Sequence, residues 1–212
     1  EISFAHNGVL FLDEAPEFSR NALEALRQPL ESGQVALSRS SWTGSLPAKF
    51  QLLLAANPCP CGNALTDTVK ACECTSMALR KYALQVSGPL RDRIDINLLI
   101  PGVRSMAMGE SSGIVRERVI AARQAASRRF AEFPWATNSE IPATLLRTKF
   151  CPESEGHDLL NTYVGNSGGL RGSHRALRVA WTLADLADRK RPTKEDVALA
   201  IHLRNSESGM AA

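Results

Sequence analysis

The sequence predicts an α/β layer around a parallel sheet, followed by an all-α second half, and two observations carry that prediction. Gly8–Leu12 and Leu52–Ala56 are apolar without interruption and end in polar residues, Asp13-Glu14 and Asn57-Pro58, as strands buried on both faces do. Beyond Pro101-Gly102 the composition turns to Ala, Arg and Leu at helical spacing, with no strand pattern. With 212 residues there is room for one domain or two small ones, and the change of composition sets 1–102 apart from 103–212.

The elements follow in order. After the strand at 8–12, Asn21–Leu30 carries Ala22, Leu23, Ala25, Leu26 and Leu30 at helical spacing, with Ser19 as its cap. Val35–Ser40 and Ala48–Phe50 flank the turn-rich Ser41–Ser45 and read as a hairpin or an irregular excursion. The second strand is 52–56, and Ile94–Ile100, closing at Pro101-Gly102, reads as a third. Helices are expected at Gly113–Phe130, Pro142–Lys149, Glu155–Val164, Leu170–Asp188 and Lys194–Leu203. The last opens at Thr193-Lys194-Glu195-Asp196, close to a capping box.

Composition narrows the class. A hydrophobic fraction of 44% with 22% charged residues is that of an ordinary folded protein. The longest apolar runs are strand-sized, so no membrane partner is expected. The net charge of +3 is too small to establish a nucleic-acid partner, but it is unevenly spread: −1 over residues 1–100 and +4 over 101–212. No signal peptide is visible and four of the five cysteines fall within 59–74, which predicts a reducing, cytoplasmic setting.

A carboxylate at the carboxyl edge of a buried strand can hold a hydrated magnesium ion beside a phosphate, and a neighbouring carboxylate can orient the attacking water. Asp13 and Glu14 have that position, although alone they fit equally well as polar residues leaving a strand. Asn57 reaches the same edge if the two strands are neighbours. Cys59-Pro60-Cys61 and Cys72-Glu73-Cys74 offer four thiolates, which suit a tetrahedral zinc; cysteines without metal are the alternative at this tight Cys-x-Cys spacing.

In this order and spacing, Gly8–Glu14, Leu54–Gly62 and Gly88–Asp95 resemble the Walker B, sensor 1 and arginine-finger segments of the magnesium chelatase-like AAA+ ATPases, nearest to the bacterial competence M-type branch. Gly169–Ala180 resembles the sensor 2 helix of their α-helical lid. The resemblance implies the rear of an AAA+ P-loop core at 1–102 and a helical lid at 103–212. It also implies a ring, a hexamer, working on DNA with ATP and Mg2+. Asp13 would hold magnesium through water, Glu14 polarise the hydrolytic water, Asn57 set it against the γ-phosphate, Arg93 act as the finger and Arg171 as the sensor 2 arginine. Arg91 is an alternative finger. Gly169 stands where Ser is more usual, which predicts a weaker helix cap. In related helicase and chelatase branches a hairpin between the Walker B helix and sensor 1 points into the ring's pore, so the resemblance implies that Arg39 and Trp42 of the Ser38–Gly44 excursion would meet a phosphate and a base there; a surface turn with Trp42 packed on the domain is the alternative.

The phosphate-cradling Gly-x-x-x-x-Gly-Lys-Ser/Thr loop is absent from these residues and the chain opens without Met, so it reads as the carboxyl-terminal part of a longer protein, expected to bind ATP poorly alone. Two other functions fit the same residues: the motor subunit of a magnesium chelatase inserting metal into a porphyrin, and a module that only makes oligomeric contacts.

Overall fold

The computed structural model describes residues 1–39, 42–64, 71–100 and 109–205. It is mixed α/β, and its described residues form two compact units, Glu1–Ile94 with Ile100, and Asp95–Leu99 with 109–205.

In the first unit, β1 (Val9–Leu12) and β4 (Gln51–Leu54) form a two-stranded parallel sheet. Between them in sequence lie α1 (Arg20–Ala25), α2 (Arg27–Ser32) and the antiparallel pair β2 (Gln34–Arg39) and β3 (Trp42–Pro47). After β4 come α3 (Ser76–Ala83) and the single turn α4 (Gly88–Arg91). Leu23, Leu26 and Leu90 form the buried centre, and Leu10, Leu12 and Leu52 of the sheet pack on it.

The sheet is covered on this face only. Val9, Phe11 and Leu53 on the other face are about half exposed, so the expectation of strands buried on both faces is corrected. The apolar residues are present on both faces, but among the described residues nothing lies over the second.

The helix expected at Asn21–Leu30 is two. Ser19 caps α1, its hydroxyl accepting from the Ala22 N–H at 3.3 Å, but Pro29 has no N–H to give Ala25 and its ring crowds that carbonyl, so the chain re-starts after Leu26. In the hairpin, pairing overrides turn composition: Thr43, Gly44 and Ser45 stand opposite Ser38, Leu37 and Ala36 as strand residues. The third strand, Ile94–Ile100, does not form. Within the second unit, the Asn97 backbone N–H donates to Leu203 O at 2.8 Å and its side-chain amide to Arg204 O at 2.9 Å, so this extended segment satisfies the carbonyls of a helix end.

That unit is otherwise helical: α5 (Ser112–Arg129), α6 (Ala143–Leu146), α7 (Ser154–Tyr163), α8 (Gly169–Leu186) and α9 (Lys194–Asn205). Its core joins Phe130, Ile141, Leu146, Phe150, Leu177, Trp181 and Val197. Thr193 and Asp196 cap α9 reciprocally, the Thr193 N–H donating to the Asp196 carboxylate at 3.0 Å. The N-terminal part of α5 is exposed all round, including the apolar Ile114, Val115, Val119 and Ile120.

Candidate functional site

The pairing of β1 with β4 decides the geometry at the sheet edge. Leu12 is opposite Leu54, the Ala55 N–H donates to Leu12 O at 2.9 Å and the Ala15 N–H returns to Ala55 O at 2.8 Å. The two chains therefore leave the sheet side by side, and Asp13, Glu14 and Asn57 emerge exposed at one carboxyl edge. Asp13 Oδ1 accepts from the Glu14 N–H at 3.0 Å. Glu14 sits in the left-handed region, φ 51° and ψ 44°, which strains a residue with a side chain.

Tyr82 of α3 is buried beside this edge. Burial raises its phenol above the ordinary range, the Glu17 charge adds to that, and a hydrogen bond from the Asn57 backbone opposes it. Sequence reasoning missed Tyr82 because α3 itself was not predicted. The remaining signal is an aromatic following Arg80 and Lys81, on a helix capped by Thr75.

Arg93 follows α4, whose cap is the Ser87 hydroxyl accepting from Leu90 N–H at 3.3 Å. Its guanidinium is ion-paired with Glu31 of α2 and donates to the Pro89 carbonyl, leaving the side chain 14% exposed. Glu31 is a second residue that the sequence did not single out. Nearby, the Ser87 hydroxyl and then Arg27 hold the Glu24 carboxyl below its usual range.

Arg171 lies exposed in the second unit, in the first turn of α8. A wide turn, Val164–Gly168, leads into it. Gly169 has φ 56° and ψ 173°, a conformation that favours glycine, so it is a backbone requirement rather than the weaker cap expected from the sequence. Gly168 is required for space, since a Cβ there would stand 2.1 Å from the Tyr163 ring.

The four clustered cysteines come together. Their sulfurs all lie within 4.8 Å of one another, with Cys59 fully buried. A hydrogen bond from the Asn63 backbone, with the Cys59 thiol second, brings Cys61 down to about 6. Cys151 is a free thiol. Arg39 and Trp42 are partners in the backbone register of β2 and β3, but their side chains and residues 40–41 lie outside the described residues. Among the described residues no helix is long and apolar enough to cross a membrane.

Residues 1–108 match the family described as magnesium chelatase, subunit ChlI, and residues 109–204 match magnesium chelatase, subunit ChlI C-terminal. The chain is 46% identical over 210 residues to an uncharacterized protein of Mycobacterium tuberculosis, covering 97% of this chain and 41% of that protein. It is 40% identical to the uncharacterized protein YifB of Escherichia coli, over 96% of this chain and 40% of the relative. To the competence protein ComM of Haemophilus influenzae it is 36% identical, with the same coverage. The chain thus spans about two-fifths of the length of these relatives. Matched along nearly all of its length, it belongs to the magnesium chelatase-like family of AAA+ proteins that includes YifB and ComM.

Proposed function

We propose that the chain is the rear part of a ring-forming, Mg2+-dependent ATPase that remodels DNA, with residues 1–102 belonging to the ATPase core and 103–212 to its lid. The observation that carries the reading is the parallel register of β1 and β4, which brings two carboxylates and an amide to one open edge. Both carboxylates are exposed there, a donor set suited to a hard, hydrated cation beside a triphosphate.

Magnesium, when bound with ATP, supplies charge neutralisation on the β- and γ-phosphates. Asp13 is the residue that would hold that ion, through water. Glu14 accepts a hydrogen bond from the attacking water and draws its proton, while the Asn57 amide orients that water. Arg93 reaches the nucleotide of the next subunit, where its guanidinium meets developing charge. That requires opening its pair with Glu31, worth about 1 kcal/mol or less for so exposed a carboxylate. Arg171 senses the nucleotide from the lid. DNA as the object of the work is supported by the kinship with a competence protein, and the cytoplasm is where such a motor works.

The test is ATP hydrolysis by the complete protein in which this chain occurs, with and without single-stranded and branched DNA, alongside Glu14→Gln and Arg93→Ala. Stimulation by DNA that both substitutions abolish is expected. The family's own description favours a second reading, a chelatase motor. Hydrolysis that ignores DNA, responds to a porphyrin and still needs Glu14 and Arg93 would select it.

A further inference from the structure

We propose that Cys59, Cys61, Cys72 and Cys74 form a structural zinc site that ties the end of β4 to the start of α3. The sulfur positions argue for it. Cys59 and Cys61 Sγ are 3.3 Å apart, and Cys72 Sγ is 3.7 Å from each. A tetrahedral zinc with bonds of about 2.3 Å needs sulfurs about 3.8 Å apart. A disulfide would need about 2.05 Å. All four cysteines are free thiols, gathered from two segments that are eleven residues apart between Cys61 and Cys72.

The donor set selects the role. Four soft thiolates fill a tetrahedron and leave no open position, the arrangement of a structural rather than a catalytic zinc. The surroundings fit as well: the Ala64 N–H donates to Cys59 Sγ at 3.2 Å, the kind of N–H to sulfur bond that offsets charge on a metal thiolate.

The consequence lies in what the cluster joins. Cys59 is two residues beyond Asn57, and Cys74 immediately precedes Thr75, the cap of α3. Tyr82, on α3 itself, is buried. Zinc therefore fixes the chain two residues beyond Asn57 to the start of α3, which holds Asn57 from its carboxyl side. This last step rests on the proposed role of Asn57, whereas the metal site itself does not.

The complete protein, purified under reducing conditions without chelator, is expected to carry about one zinc per chain by elemental analysis, and Cys72→Ser/Cys74→Ser to lower this about tenfold. Cys151→Ser should leave the zinc content unchanged. Because the double variant can fail to fold, the unsubstituted protein is also stripped and refilled with cobalt, whose ligand-field and sulfur-to-metal absorption bands distinguish a tetrahedral tetrathiolate site from mixed ligation. A tetrathiolate cobalt spectrum together with zinc in the purified protein supports the site. Folded protein containing no zinc and giving no such spectrum, disulfides formed among these four cysteines, or iron in place of zinc would overturn it. Loss of zinc in Cys72→Ser/Cys74→Ser with unchanged ATP hydrolysis would leave the metal site standing and remove its hold on Asn57.

Discussion

Leu12 and Leu54 face each other at the last paired position of two parallel strands, and that single register sets Asp13-Glu14 and Asn57 at a common edge. A slip of one residue would turn one strand's set of side chains to the opposite face, taking Leu10 and Leu12, or Leu52, off the core formed by Leu23, Leu26 and Leu90. The packing that stabilises the sheet is therefore also what aligns the candidate site.

Glu14 occupies left-handed backbone, φ 51°, where a residue with a long side chain is strained and Asn is better tolerated. Glu14→Asn is expected to leave stability unchanged or raise it by up to about 1 kcal/mol in urea denaturation, while abolishing hydrolysis by the complete protein. A clear loss of stability would mean that the Glu14 side chain contributes to the fold.

The ion pair between Arg93 and Glu31 separates two uses of the arginine. If Arg93 acts on a neighbouring nucleotide, Glu31→Gln should retain or increase hydrolysis, and Arg93→Ala should lower it a hundredfold or more, about 2.7 kcal/mol of barrier. Equal losses in both variants would make the pair a structural tie.

In the second unit, Arg129 grips Asp185 with two hydrogen bonds of 2.7 and 2.6 Å while its guanidinium lies over Trp181, 4.3 Å from the ring centre. Asn138 completes the network, donating to Asp185 at 2.8 Å. The Asp185 side chain is only 2% exposed, so Arg129→Ala leaves a buried, uncompensated carboxylate and should destabilise by about 3–5 kcal/mol. Denaturant unfolding should show a lower midpoint at an unchanged m-value.

His174 of α8 carries a buried Nε2 that makes no hydrogen bond, and burial, followed by the Arg178 and Arg147 charges, lowers its pKa below the ordinary 6.5. The unfolded chain therefore takes up a proton at higher pH than the folded one. This contribution to stability is complete well above 6.5 and is lost as the pH falls below it. Unfolding free energies from pH 8 to 5 should show a shallower acid decline in His174→Asn than in the unsubstituted protein, and identical slopes would refute the assignment.

Several local elements are written in the residue pattern alone. Apolar runs ending in acids or Asn marked β1 and β4, Ser19 marked a helix start, and the spacing of Leu177, Ala180, Trp181 and Ala184 marked the face of α8 that becomes core. The candidate residues 13, 14 and 57 and the four cysteines stand out in the sequence by their type and order. Long-range contact settles the rest. It paired β1 with β4, split a helix at Leu26, and used 94–100 to satisfy a helix end instead of extending a sheet. It also brought Glu31 to Arg93, which no pattern marks, because an ion pair across tens of residues leaves no periodicity in the chain. Periodicity records which face of an element is apolar; which other element comes to lie against that face is settled only when the chain packs.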